Sequence, residues 1–238
     1  MPDHRWLVMK LEAPLMAFGG VTIDQLGVTR AFPAASMLTG FFANALGYRR
    51  TDWEKHQALQ DRLIFAVGRA GESASGLLTD TQNAKLEKTD RGWTTRGIVE
   101  GRDGASYGAP HRRKRDYHMD ARVAVVLRLD EGSGGPDIID LAEALDRPMR
   151  PLFIGRKPCL PAERLNGGFV EASDAHAALG KAAQEITRAL WPMGEGPAEG
   201  PDVDRIVDLC DIRNWRTGLH GGSRKVVEGR IFRQESAP

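Results

Sequence analysis

Ala121-Arg-Val-Ala-Val-Val-Leu-Arg-Leu129 decides the architecture of this chain. Val123, Val125, Leu127 and Leu129 alternate with Arg122, Ala124, Val126 and Arg128, the period-two pattern of a strand with a buried face. Ahead of it, Leu77 to His118 is polar, basic and glycine-containing, with little to bury. Further upstream, Leu63–Val67 reads as another strand. Downstream, the Gly132–Pro136 turn leads into a helix with Ile138, Leu141, Ala142 and Leu145 on one side, ended by Pro148. Pro151–Ile154 reads as a short strand running into Gly155-Arg-Lys-Pro-Cys159.

At the N-terminus Trp6–Leu11 alternates, with Leu7, Met9 and Leu11 on one face. After a turn-rich stretch, Ala13 to Phe32, Pro33 opens a helix where proline loses no hydrogen bond. Met37, Leu38, Phe41, Phe42, Ala45 and Leu46 recur at helical spacing and Gly47 stops the run, so these phenylalanines read as core. Thr51-Asp-Trp-Glu54 has the form of a capping box for a short helix carrying Leu59 and Leu63. The order is strand, helix, strand, insertion, strand, helix, strand. That is an α+β chain on the βαββαβ plan of a ferredoxin-like or RRM-like domain. An insertion of about 40 residues between the second and third strands is too long for an ordinary connection, so it is functional or disordered. We expect a core over residues 1–160, with the insertion at about 77–118, and an extension over 161–238. The extension contains a helix capped by Ser173 (Asp174–Leu190), an acidic Gly/Pro linker (Gly194–Asp204) and strand-like runs Arg205–Ile212 and Lys225–Phe232.

Hydrophobic residues make up 41% and charged residues 27% of the 238, the balance of a globular chain. Apolar runs such as Phe41–Leu46 are too short to cross a bilayer, and no signal-like apolar stretch follows Met-Pro-Asp-His-Arg-Trp6. A cytoplasmic protein without membrane contact is expected. Cys159 and Cys210 lack metal-ligand spacing and read as isolated thiols, with no metal site. No GxGxxG, Walker loop, HExxH or GxSxG is present, so no cofactor is expected.

The net charge of +1 conceals segregation. Between Arg91 and Arg115 stand seven cations (Arg91, Arg96, Arg102, Arg112, Arg113, Lys114, Arg115) against Glu100 and Asp103. Asp130–Asp146 carries six acids and no lysine or arginine. A polyanion partner is therefore compatible with a neutral total. His111-Arg-Arg-Lys-Arg115, with Tyr117 and His118 beside it, pairs cations with rings, as a single-stranded nucleic acid requires. Trp93, Arg96, Arg102 and Tyr107 supply both types further along the insertion. Gly155-Arg156-Lys157 can present backbone N–H groups and two cations to a phosphate. Gly218–Lys225 is a second glycine-basic loop.

Five segments resemble the CasD-type subunits of type I-E CRISPR Cascade complexes, within the RAMP superfamily. They are Leu11–Gly19, Thr29–Ser36, Ala45-Leu-Gly47, Asp116–Ala121 and Arg150–Cys159, in that order. The resemblance implies a ferredoxin-like core with a β-hairpin thumb where the insertion lies, gripping the 5′ handle of the CRISPR RNA. It also implies contacts with the backbone and large subunits, and with target DNA only through the complex. Where the family commonly has an arginine ahead of the first helix this chain has Ala35. Arg30 stands nearby to substitute, with Ser36 at the helix start. The expected RNA-binding residues are thus Arg30, Ser36, Arg96, Arg102, His111, Arg112, Arg113, Lys114, Arg115, Tyr117, Gly155, Arg156 and Lys157.

No catalytic residue is expected. The alternative is a metal-independent endoribonuclease, as in type I-C relatives, which use a tyrosine with a lysine–histidine pair to cleave precursor RNA. Its candidates here are Tyr48 after the first helix and Lys114 and His118 near the end of the insertion.

Overall fold

A computed structural model describes residues 3–69, 76–84, 111–132, 134–183 and 186–231. The chain runs β1 (His4–Met16), β2 (Thr22–Ile23), β3 (Leu26–Gly27), α1 (Ala35–Ala45), α2 (Trp53–Arg62) and β4 (Leu63–Arg69). It continues with β5 (Leu77–Ala84), β6 (His111–Leu129), α3 (Ile138–Asp146), β7 (Asn166–Ala172) and α4 (Ala175–Ala182). β8 (Ile186–Pro192), β9 (Val203–Leu209) and β10 (Arg224–Ile231) close it, giving a sheet-dominated α+β fold.

β1 and β6 form the centre of the sheet because both faces of each are apolar. They pair antiparallel, with Leu7 opposite Leu127 and Leu11 opposite Val123. β7 lies antiparallel on the other side of β1, and β4 on the other side of β6. Beyond β4 the sheet continues through β8, β10 and β9. Leu7, Met9, Leu11, Val123, Val125 and Leu127 face a core shared with α1 and α3. Trp6, Val8, Ala124 and Val126 face a second core under α4. Trp6 is fully buried and its indole N–H donates to Ala172 O at 3.0 Å, so the ring also ties β1 to the end of β7. Burying each such aliphatic side chain contributes about 1.5–3 kcal/mol. Among the described residues no helix is long and apolar enough to cross a membrane.

Several local expectations are corrected. Pro151–Ile154 is not a strand. Ile154 N donates to Cys159 O and Cys159 N to Arg156 O, closing a compact turn. The strand on the far side of β1 is β7, which begins Asn-Gly-Gly and lacks the β-branched run that announces strands. The helix expected over Asp174–Leu190 stops at Ala182, and Ile186–Pro192 joins the sheet as β8. Asp174 caps α4, accepting from Ala177 N, while Ser173 donates to the Asp174 carboxylate. Pro33 lies ahead of the N-cap Ala34, outside α1. The Thr51–Glu54 capping box is not formed. Asp52 is the N-cap of α2, but its carboxylate accepts from Arg49 N instead. A reciprocal capping box does form on α3, between Asp137 and Asp140.

Candidate nucleic-acid interface

β5 and the first half of β6 form an antiparallel hairpin, from Leu77 opposite His118 to Ala84 opposite His111. β6 is one strand of 19 residues. Within it Asp120 has a φ of 44°, in the left-handed region, and the β1 register skips that residue. Arg96, Arg102, Trp93 and Tyr107 lie outside the described residues, and of His111 only the backbone is described.

A strand turns successive side chains to opposite faces, so the run Arg112–Arg115 is two pairs and not one patch. Arg112 and Lys114 stand opposite Asn83 and Thr81; Arg113 and Arg115 stand opposite Gln82 and Asp80. Arg112, Arg113 and Lys114 are exposed and Arg115 half-buried. Tyr117, expected as a stacking ring, is corrected to a core residue: it is 3% exposed and the Arg156 guanidinium covers it at 4.9 Å from the ring centre. Arg156 donates to Asp116 O at 2.9 Å and Gly27 O at 2.8 Å. It therefore fastens the 155–157 turn to the hairpin's root, while Lys157 stays exposed. Gly155 has a φ of +87°, and a Cβ there would overlap the Ala17 carbonyl oxygen, so only glycine fits.

Arg30 donates to Cys210 O at 2.7 Å, and His118 Nε2 lies 2.7 Å from Arg30 O. The N-terminus of α1 is already occupied in cis. Ala35 N donates to the Asp211 carboxylate and Ser36 N to Asp211 O, both at 3.0 Å. Asp211 is buried and also takes Arg224 Nε and Nη2, at 3.0 and 2.9 Å.

Between α1 and the 210–222 loop lies a groove of about 1160 Å³ that brings Arg30, Ser36 and Gly155 together. Sequence reasoning missed Arg50, Arg150, Arg213, Trp215 and His220 in its wall. No carboxylate lines it among the described residues. The Gly218–Lys225 loop was the available signal, since His220, Gly221 and Gly222 belong to this wall. Arg150 donates to Gly47 O and Tyr48 O, and Arg213 lies over Trp215. Trp215 is anchored rather than open, donating to Gln60 and stacking on His56 at 4.7 Å. A second cavity of about 1340 Å³ between α2 and α3 mixes Lys55, Arg62 and Arg147 with Glu54, Asp140 and Glu143, and lacks that one-sided charge.

The lysine–histidine pair beside Tyr48 is Lys55-His56 on α2, adjacent in sequence, rather than Lys114 and His118. Lys55 Nζ lies 5.4 Å from the Tyr48 ring centre and the His56 ring 5.8 Å from it. Burial pushes the Tyr48 hydroxyl up, and Asp140 and Asp52 add to this against Arg62. Lys55 sits over the ring face, and His56 Nδ1 is held on Asp52 O at 2.8 Å. His118 is buried against Phe18 and serves the Arg30 backbone. Cys159 is buried and Cys210 exposed, both free; burial pushes the Cys159 thiol up. Among the described residues no group of three potential ligands could hold a metal ion.

The sequence and the sheet-dominated α+β fold match known proteins. The family described as CRISPR-associated protein (Cas_Cas5) matches residues 6–227, and the chain belongs to that family. A relative from Escherichia coli (strain K12), "CRISPR system Cascade subunit CasD", is 29% identical over 174 residues, covering 73% of this chain and 75% of its own. Two solved structures share the fold. One, "CRISPR RNA-guided surveillance complex", has a TM-score of 0.65 at 20% identity, covering 94% of this chain and 89% of the other. Another, "Crystal structure of Cas protein", has a TM-score of 0.57 at 20% identity, covering 96% of each.

Proposed function

We propose that the chain is a non-catalytic, RNA-binding subunit of a cytoplasmic type I CRISPR surveillance complex. It grips the 5′ handle of the CRISPR RNA and contacts the neighbouring backbone and large subunits. Target DNA is reached through the complex. The observation that carries this reading is the β5–β6 hairpin of a Cas5-family chain, which displays Arg112–Arg115 and has Arg156, next to Lys157, and the Arg30 backbone fastened at its root. His111, Arg96 and Arg102 belong to the same reading, the last two lying outside the described residues, and Ser36 and Gly155 line the adjoining groove. Tyr117 and Arg156 hold the root in place. In this reading β1, α1, β4, β6, α3 and β7 are a ferredoxin-like core with order β7-β1-β6-β4, and the β5–β6 hairpin is its thumb. The core then extends past residue 160 to Ala172, and the remainder is a C-terminal extension.

A single strand held by phosphates binds with salt-dependent affinity, and each lost contact lowers the log–log slope by about 0.7. Replacing Arg112, Arg113, Lys114 and Arg115 together with alanine should reduce both affinity and slope for a labelled handle RNA. Unchanged RNA retention would refute the assignment of the run.

One observation favours the endoribonuclease as a second reading, the placing of Lys55 and His56 against Tyr48. A phenol held protonated by burial is a poor base for a 2′-hydroxyl, and His56 Nδ1 is held on Asp52 O. Repeat RNA incubated with the chain and chelator should stay intact. A discrete product lost in Tyr48→Phe would replace the non-catalytic reading.

A further inference from the structure

Four arginines and a histidine meet the stretch from Gly27, at the end of β3, to Phe32, ahead of α1. Arg115 lies against Gly27, where a Cβ would come within 2.7 Å of its Nη1. Arg156 donates to Gly27 O and reaches Val28 O at 3.5 Å. His118 sits on Arg30 O, Arg69 donates to Ala31 O at 3.2 Å, and the Arg188 guanidinium lies 5.5 Å from the Phe32 ring centre. The segment thus runs from the hairpin root to the C-terminal strands past Arg115, Arg156, Arg69 and Arg188. In the sheet Arg188 of β8 stands opposite Arg69 of β4, and Arg205 of β9 opposite Glu228 of β10.

We propose that Arg188 and Arg205, gathered around Glu228, form a second phosphate-contact site for single-stranded RNA, continuing the hairpin-root site onto the C-terminal strands. This rests on the RNA-binding reading above. Arg188 Nη2 donates to Glu228 Oε1 at 2.7 Å, and Arg205 donates to Oε2 through Nε and Nη2 at 2.9 and 2.7 Å. A structural bridge needs one guanidinium per carboxylate. Two leave a net positive charge, and both are on the outside: the arginine side chains are 42% and 67% exposed against 12% for Glu228. Burial pushes the Glu228 carboxyl up, but hydrogen bonds from both arginines outweigh it and hold the group ionised. The carboxylate therefore works as a fixed anchor that aims two forked donors outward, the geometry that suits phosphate oxygens.

The test is titration of a fluorescein-labelled single-stranded RNA of handle sequence with the full chain across a salt series. Arg188→Ala/Arg205→Ala should weaken binding and lower the log–log slope by about 1.4, two contacts at about 0.7 each. Arg188→Lys/Arg205→Lys, which keeps the charges, should recover most of the slope. Glu228→Gln should tighten binding at low salt. Wild-type slope in the alanine double variant, with a lowered slope in the Arg112–Arg115 variant, overturns this inference and leaves the RNA-binding reading intact. Loss of a protein subunit without a change in RNA affinity also overturns it, in favour of an acidic protein surface. Failure of the wild-type chain to bind RNA at any salt concentration sinks the functional reading and the inference with it.

Discussion

Asp211→Ala removes the carboxylate that locks the C-terminal strands to the first helix. In the native chain this fully buried group accepts from Ala35 N at 3.0 Å and from Arg224 Nε and Nη2 at 3.0 and 2.9 Å. Loss of the acceptor at the start of α1 costs about 1 kcal/mol. The larger loss is on the partner. Arg224 lies 4.3 Å from the Phe65 ring centre with its side chain only 18% exposed, and it would be left without its counter-charge. Breaking one side of a buried pair costs about 3–5 kcal/mol. The Ser36 hydrogen bond uses the Asp211 main chain and survives the substitution. The two losses overlap at one carboxylate, so we expect about 4 kcal/mol in total, which for a chain of this size is a fall of about 10 °C in thermal midpoint. Urea unfolding followed by tryptophan fluorescence, with a parallel thermal scan, measures both quantities. Arg224→Met added to Asp211→Ala should recover about 2 kcal/mol by removing the stranded charge. A loss below about 1 kcal/mol for Asp211→Ala, or further destabilisation by Arg224→Met, would refute the argument.

Two further outcomes can be checked on the same apparatus. Gly155→Ala should cost more than about 2 kcal/mol, because the left-handed conformation and a clash with backbone at Ala17 act together; Gly168→Ala, left-handed at +85° with open space around it, should cost about 1 kcal/mol, and equal costs would contradict the clash. Stability should fall as pH drops below the ordinary histidine value of about 6.5. Burial pushes His176 down, against Asp174 and Asp202, and its Nε2 is buried without a partner. In that window the unfolded chain binds the proton that the folded chain refuses, so stability rises with pH. His176→Phe should flatten the thermal midpoint between pH 6.5 and 5.5, and an unchanged slope would point to another group.

The central strands and helices were legible because their apolar residues repeat at one period over many residues. β1, α1, β6 and α3 all fall where alternation or helical spacing placed them. β7 was not legible, since Asn166-Gly-Gly168 reads as a turn and its edge is defined only by pairing with β1. β8 was read as helix because Ala175–Leu190 is alanine-rich, and the break at residue 183 carries neither glycine nor proline. The basic run was legible as composition, but its division between two faces needed the β5 register. Groove residues Arg50, Arg150 and Arg213 are separated by dozens of residues in the sequence and brought together only by the fold. Tyr117 was misjudged for a related reason. Its aromatic ring beside cations suits stacking, yet the cation that meets it comes from Arg156 of the same chain.

How the arginines are satisfied explains why the interface stays positive. A guanidinium paired with a carboxylate is held in place but neutralised, as in Arg5–Glu171 and Arg164–Asp146 on other surfaces. A guanidinium held by backbone carbonyls is equally ordered and keeps its full charge. The groove and hairpin root use the second device: Arg30 on Cys210 O, Arg69 on Ala31 O, Arg150 on Gly47 O and Tyr48 O, Arg156 on Asp116 O and Gly27 O. The carbonyls come from segments far apart in the chain, so the same contacts that collect the cations also join those segments. Like charges gathered in one place repel, and neutral acceptors relieve only part of that repulsion. A polyanion would relieve the remainder, which supports the RNA-binding reading proposed above.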